Sequence, residues 1–201
     1  MGAQLKCIEN LCIEDFLGVK VPTDKAPVNF SDLVFFNESN INALVPEGEK
    51  QRFINQAVFD KENERIFSVF NVKFEYCEDH FPSYPMLPMA KLGQIMAQVG
   101  SLLIMSSEDF NLADNNGKNS FPLVKSVQSI ESFATIIHGK RKVFITPNDN
   151  LLIVAEYPRG KITTRSTNIL VYVEATQIAT MALTYEVLSW SLFIKLYEHQ
   201  R

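Results

Sequence analysis

Hydrophobic and polar residues alternate along residues 65–77, the neighbouring run at residues 52–59 is also strand-like, and the polar residues 60–63 separate the two. Such alternation puts successive side chains on opposite faces and is typical of β-strands with a buried face. Two runs around a short polar connection predict a hairpin. The mostly apolar face of the second run comprises Ile66, Ser68, Phe70, Val72, Phe74 and Tyr76.

A long apolar segment, residues 89–105, predicts the main helix. Most of its residues are apolar or small, and a helix of that composition is buried. Pro88 stands directly before it, a position that tolerates proline because the first helical turn needs no hydrogen bond from that nitrogen.

The later part of the chain is rich in predicted strands, at residues 123–133, 142–145, 151–157, 164–173 and 175–188, with turns at 147–150 and 158–161. Residues 190–197 predict a last strand or helix. One buried helix and about six antiparallel strands predict an α+β protein with the helix on one face of a sheet. Residues 1–40 predict an extension packed on this fold, in which residues 32–36 form a short strand or a helical turn. Residues 41–201 then form a single domain.

The composition narrows the class of protein. A chain of 201 residues with 46% hydrophobic and 21% charged residues is ordinary for a globular domain that needs no disulfides. A net charge of -4 argues against general nucleic-acid binding. Cys7, Cys12 and Cys77 form an odd set, which predicts reduced thiols and no metal site. Without an apolar signal-peptide core or a run of ~18 apolar residues, we expect a cytoplasmic protein that does not bind membranes.

Four polar residues interrupt the apolar helix at one-face spacing: Lys91, Gln94, Gln98 and Ser101. Buried polar groups cost free energy unless they have partners, so this stripe is expected to face a polar cavity, a subunit interface or solvent. A solvated edge over which Lys91 extends its ammonium group is the simpler interpretation.

The segment in front of the helix carries the candidate chemistry. His80 ends the strand-like run, and Pro82, Pro85 and Pro88 then keep the chain extended, because proline fixes its own φ and keeps the preceding residue out of the α region. An ionisable side chain is therefore expected at the N-terminal end of the most hydrophobic helix.

The string His80-Phe81-Pro82-x-x-Pro85-x-x-Pro88, followed by Gln94 and Ala97-Gln98, resembles the motif of the FabZ/FabA-type 3-hydroxyacyl-ACP dehydratases, which have the hotdog fold. Asn71-Val72 is similar to that family's Asn-Val pair, and Pro147-x-Asp149-x-Leu151 is similar to its Pro-Gly-Asp-x-Leu turn. The resemblance covers about residues 41–188.

The resemblance implies a hotdog domain, a dimer and an acyl thioester bound at the dimer interface. It implies that His80 takes the C2 proton of a 3-hydroxyacyl thioester and that the amide N–H of Met89 polarises the thioester carbonyl. A helix N-terminus favours the negative charge that develops on that oxygen, and an imidazole suits the role of base. Phe81, Pro88, Lys91 and Gln98 are the further substrate-binding candidates. No cofactor or metal is implied.

The chain departs from the family pattern at one catalytic position. Gln94 stands where the family has a carboxylate, and an amide hydrogen-bonds but transfers no proton in this pH range. Ser83 and Met89 replace two motif glycines. Three interpretations stay open: a dehydratase in which Gln94 positions the hydroxyl and Lys91 or His80 supplies the proton, one half of a heteromeric dehydratase, or an acyl-thioester-binding protein or thioesterase. A fourth interpretation, a hotdog subunit without catalytic activity, belongs to a different functional class. The first interpretation, the dehydratase, predicts a lyase of fatty-acid or polyketide-type biosynthesis.

The basic run at residues 138–142 is either a solvated loop, which is the commoner case, or a docking site for an acidic acyl carrier protein. His138 and His199 have no partner pattern and are read as bystanders.

Overall fold

The computed structural model describes residues 13–27, 29–44, 51–78, 83–107, 120–158 and 166–189. Three helices and nine strands lie in these ranges: α1 (Ile13–Leu17), β1 (Leu33–Phe36), α2 (Glu38–Leu44), β2 (Ala57–Asp60), β3 (Arg65–Asn71), α3 (Met89–Ser106), β4 (Ser120–Ser132), β5 (Thr135–Ile137), β6 (Lys140–Lys142), β7 (Asn150–Glu156), β8 (Ser166–Val173) and β9 (Thr176–Ser189). Within them, no helix is long and apolar enough to cross a bilayer.

Seven strands form one antiparallel sheet in the order β1-β2-β3-β7-β8-β9-β4, and β5 and β6 form a separate small hairpin. Helix α3 lies across one face of the large sheet and contacts β3, β7, β8, β9 and β4. The predicted α+β architecture, with a long helix against an antiparallel sheet, is confirmed.

The main core lies between α3 and the sheet. Eleven residues of the helix are buried, and eight of them belong to this core, among them Leu92, Ile95, Met96, Val99 and Leu103. Ile66, Phe70 and Val72 meet them from the sheet, so the alternation read from the sequence does place these three side chains on the helix side.

The outer face of the sheet carries a second apolar cluster. Ile13 and Leu17 of α1 pack there with Phe67, Leu152 and Tyr172. Two ion pairs flank the cluster: Lys25 Nζ lies 2.7 Å from Glu156 Oε2, and the buried Arg65 Nε lies 2.9 Å from Asp60 Oδ2. The N-terminal segment therefore covers this face of the sheet, and β1 adds a strand to its edge. The domain boundary at residue 40 stays a prediction.

Three predicted strands are wrong in extent. The strand predicted at residues 52–59 begins only at Ala57. The strand predicted at 65–77 ends at Asn71, and Phe74–Tyr76 form a 3-10 turn, because the backbone of Val72 bonds to the 148–149 turn instead of continuing the ladder. Of residues 142–145, only Lys142 is in a strand, and its partner β5 was not predicted. The alternatives left open for residues 32–36 resolve to strand β1 after a short 3-10 turn. The prediction for residues 190–197 lies outside the described residues.

Candidate functional site

The N-terminal end of α3 is open to solvent. Pro88 is the N-cap residue, with φ −60° and ψ 138°, and it offers no side-chain oxygen to the first-turn N–H groups. Met89 and Ala90 are exposed, and no acidic residue lies in the first turn. Unpaired N–H groups and the positive end of the helix dipole favour an anion or a developing oxyanion here.

The proline-rich segment is anchored to the fold just before the helix. Leu87 is buried, and its N–H donates to the carbonyl of Ile145 at 2.8 Å. Pro85 and Pro88 keep the intervening backbone extended, which directs the chain into α3 without an added turn. His80 and Phe81, the predicted base and its neighbour, lie outside the described residues, so their roles stay predictions.

A tight turn at residues 146–149 directly follows Ile145, the residue that anchors the proline-rich segment. Asn148 adopts φ 72°, a left-handed conformation that asparagine tolerates better than most residues. Asp149 Oδ2 accepts a hydrogen bond from the N–H of Thr146 at 2.7 Å and lies 2.7 Å from Lys142 Nζ. The backbone of Asp149 also accepts from Val72 N at 2.9 Å. The turn at residues 146–149 thus joins the end of β3, through the backbone of Asp149, to the loop in which Ile145 anchors Leu87.

Lys91 is held over two aromatic rings. Its Nζ lies 5.2 Å from the ring centroid of Tyr76 and 5.8 Å from that of Phe53, within the range of cation–π attraction. The contacts of Lys91 with these two rings could not be predicted from the sequence, because Phe53 and Tyr76 belong to segments that meet only in the folded chain. The motif spacing carried no signal for them.

Cys77, beside this cluster, is buried and carries a free thiol. Burial raises its pKa, the nearby Asp149 carboxylate raises it further, and Lys91 opposes the shift. The thiol is therefore kept protonated, which makes Cys77 a poor nucleophile.

The predicted polar stripe on α3 divides into two environments. Gln94 is exposed, one turn from the open end of the helix. Gln98 is buried and hydrogen-bonds to the backbone: its Oε1 accepts from Phe53 N at 3.0 Å, and its Nε2 donates to Gln51 O. Ser101 is also buried. Gln94 is thus available to a ligand, whereas Gln98 holds the segment that carries Phe53.

The basic run at residues 138–142 lies on the β5–β6 hairpin. His138 pairs with Glu174, and Lys142 pairs with Asp149. Lys140 and Arg141 are exposed and enter no ion pair in the described part of the chain. Of the three lysine and arginine residues in this run, Lys142 is therefore paired within the chain.

Comparisons with known proteins agree with this architecture. No protein-family model matches the chain. The 3-hydroxyacyl-[acyl-carrier-protein] dehydratase FabZ of Bacillus cytotoxicus is 26% identical over 125 residues, which are 61% of this chain and 76% of that protein. The FabZ of Staphylococcus haemolyticus is 26% identical over 139 residues, 66% of this chain and 85% of that protein.

Among solved structures, the fluoroacetyl-CoA thioesterase FlK superposes with a TM-score of 0.52 at 11% identity, covering 69% of this chain and 96% of that one. At so low an identity, this likeness bears on the fold alone. The chain has a hotdog fold and resembles the FabZ-type 3-hydroxyacyl-ACP dehydratases in sequence.

Proposed function

We propose that this protein is a 3-hydroxyacyl-thioester dehydratase that eliminates water to give a trans-2-enoyl thioester. The observation that carries the proposal is the exposed N-terminus of α3, where Pro88 provides no side-chain cap, together with the exposed Gln94 in the next turn. The string His80-Phe81-Pro82 precedes this end of the helix in the sequence. The sequence likeness to FabZ supports the same reaction. The reduced thiol of Cys77 is compatible with a cytoplasmic protein.

In the proposed reaction, the thioester carbonyl accepts a hydrogen bond from the N–H of Met89, which stabilises the enolate-like charge as C2 loses its proton. The imidazole of His80 takes that proton. The C3–O bond then breaks, and the imidazolium returns the proton to the departing hydroxyl, so that one water leaves for each double bond formed. Gln94 donates a hydrogen bond to the same hydroxyl, because its amide has donors but no transferable proton.

Lys91 is proposed to hold the substrate by its positive charge. The rings of Phe53 and Tyr76 fix its ammonium group near the first turn of α3. Pro88 and Phe81 would line the acyl entrance, whereas Gln98 would act indirectly, by holding the backbone beside Phe53.

We further propose that the active unit is a dimer. Strand β4 is at the end of the sheet and pairs only with β9 among the described strands. Its exposed side chains include Leu123, Val127 and Ile130, and a long apolar edge of this kind favours pairing with another chain. Ile130 also contacts α3 beside Gly93, which places this edge next to the helix that carries Gln94.

A partner-dependent subunit is the second candidate, and the observation that favours it is Gln94 itself. General acid–base groups contribute roughly 10²–10⁴ in rate, so a partner chain that brings a carboxylate would restore what the amide lacks. An acyl-thioester-binding protein without turnover, or a thioesterase, would also keep an exposed amide here.

The test is enoyl formation from a 3-hydroxyacyl thioester by the natural protein and by His80→Ala and Gln94→Glu. Exposed His138→Ala is the control for removal of an imidazole. The proposal expects turnover that falls at least about 10²-fold in His80→Ala and is unchanged in His138→Ala. Turnover that appears only in Gln94→Glu would favour the partner-dependent subunit, and no enoyl product from any variant would contradict dehydration by this chain alone.

The same assay, run with a substrate bound to acyl carrier protein and with its coenzyme A ester, tests where the carrier protein docks. Lys140 and Arg141 flank a cavity of about 390 Å³ that also touches Val143 and Phe144, a surface suited to an acidic acyl carrier protein. The double variant Lys140→Glu/Arg141→Glu is expected to raise KM for a carrier-bound substrate while leaving the coenzyme A ester unaffected. Equal effects on both substrates would contradict carrier docking on the β5–β6 hairpin.

A further inference from the structure

A second cavity, of about 370 Å³, lies on the flank of the sheet remote from β4. The ladder between β2 and β3 ends at the Ala57–Ser68 pair, but β3 continues alongside β7 as far as Asn71. Among the described residues, no strand therefore pairs with the end of β3 on that side, and residues 52–56 line the cavity together with it. Its volume is in the range of small-molecule sites, roughly 300–1,000 Å³.

One wall of this cavity is aromatic. Phe53, Phe70 and Tyr76 line it, with ring centroids 5.3 Å apart for Phe70 and Tyr76 and 6.1 Å apart for Phe53 and Phe70. These rings are positioned by the core and by Lys91, so the wall is preformed. Such a surface suits a flat or short apolar group.

The rest of the described lining is mostly polar, and two of its three charged residues are cationic. Arg52 and Lys73 line the cavity, and Glu38 is the acidic residue among the described lining residues. Lys73 Nζ lies 3.6 Å from Glu75 Oε1, but both side chains are more than half exposed. An exposed ion pair of this kind contributes little to stability, so a ligand anion can replace Glu75 as the partner of Lys73.

We infer that this cavity binds a small organic anion, with an apolar or aromatic body against the three rings and a phosphate or carboxylate between Arg52 and Lys73. The planar guanidinium of Arg52 matches either head group with paired N–H donors. The amides of Asn55 and Asn71 add hydrogen-bonding groups to the same wall. This site goes beyond the proposed dehydration, which takes place on the exposed side of α3.

The cavity is nevertheless separated from the candidate active site by a single layer of rings. Phe53 and Tyr76 face the cavity and also contact the ammonium group of Lys91. A bound anion would therefore lie within a ring's thickness of the group that is proposed to hold the thioester.

The test is calorimetric titration with phenyl phosphate, benzoate and benzyl alcohol. The two anions keep the ring and differ in head group, and the alcohol removes the charge. We expect an anion to bind at least about tenfold more tightly than the alcohol, since charge-assisted hydrogen bonds exceed neutral ones by about that factor. Tighter binding of phenyl phosphate or of benzoate identifies the head group.

Arg52→Gln and Lys73→Gln locate the site, each with an expected loss of about tenfold in anion affinity and none in affinity for benzyl alcohol. Lys73 is exposed, so its variant tests the site without disturbing the fold. Lys61→Gln is the control, because Lys61 is an exposed lysine on the turn at the opposite end of the β2–β3 hairpin. Anion binding that is absent, matches that of benzyl alcohol, or is equal in Lys73→Gln and Lys61→Gln would overturn the inference.

Discussion

Gly93 and Gly100 lie about two turns apart on α3, and their surroundings differ. A Cβ on Gly100 would lie 3.0 Å from Ile169 Cδ1 and from Thr167 Oγ1, and still closer to the hydroxyl of Tyr185. That hydroxyl donates to the carbonyl of Ala97 at 2.9 Å, so it has little freedom to move away. The helix approaches β8 and β9 closely because Gly100 has no side chain.

Gly100→Ala is accordingly expected to lower the free energy of unfolding by about 1–3 kcal/mol, since overpacking outweighs the gain in helix propensity. Gly93→Ala is the matched control, because among the described residues its Cβ would meet Ile130 Cδ1 alone, at an ordinary 3.5 Å. There we expect a change between zero and a gain of about 1 kcal/mol. Urea unfolding of both variants checks this, and equal stabilities would contradict it.

The ionisation of Tyr172 is expected to make the stability of the fold depend on pH. It is buried on the outer face of the sheet, and burial, with the Asp24 and Glu156 carboxylates adding to it, raises its pKa to about 12. Below pH 10 the phenol is neutral in both folded and unfolded chains. Between pH 10 and 12 the unfolded chain loses this proton and the folded chain keeps it, so stability falls as pH rises, by at most about 1.4 kcal/mol per pH unit.

The measurement is the unfolding free energy at pH 9 and pH 11 for the natural protein and for Tyr172→Phe. The variant is expected to lose less stability between the two values, because its ring no longer ionises on unfolding. Identical pH dependence in the two proteins would contradict the assigned environment.

At the scale of elements, the segment before β2 is held to α3 by one side chain. Residues 52–56 pair with no strand of the described sheet, and Gln98 supplies partners for Phe53 N and Gln51 O instead. This is how a segment that the alternation pattern predicted as strand becomes the support for Lys91.

Gln98→Leu should therefore cost about 1–3 kcal/mol of unfolding free energy, because it leaves the N–H of Phe53 without its partner in a part-buried place. Gln94→Leu changes the same residue type one turn away, at an exposed position, and is expected to stay within about 0.5 kcal/mol. Thermal unfolding of the pair checks it, and a larger loss in Gln94→Leu would contradict this division of the stripe.

At the scale of the whole molecule, the sheet ends in the short strand β1 on one side and, on the other, in the long strand β4 with its exposed apolar side chains. The N-terminal segment covers the outer face and extends the sheet beyond β2, whereas β4 leaves Val127 56% exposed at the other end.

Val127→Lys is expected to halve the molar mass found by light scattering, because a lysine on each copy would lie against the other along the paired edge. Phe74→Lys is the control: Phe74 is equally exposed, at 56%, but lies on the 3-10 turn after β3. A natural protein that is already monomeric, or a Val127→Lys variant that remains dimeric, would contradict pairing through β4.

The hydrophobic pattern by itself determined α3, most of the strands and the α+β class, and the prolines predicted an extended segment before the helix. It did so because helix and strand periodicities are local, and α3 buries the face that its spacing predicts. The string around His80 and Gln94 likewise indicated the family resemblance. Three features depend on contacts between segments that are separate in sequence: where β3 ends, what positions Lys91, and why Gln98 differs from Gln94. Phe53 and Gln98, which are 45 residues apart, are one example. The tertiary structure decided these features, because a hydrogen bond or ring contact between distant segments leaves no periodic trace in either of them.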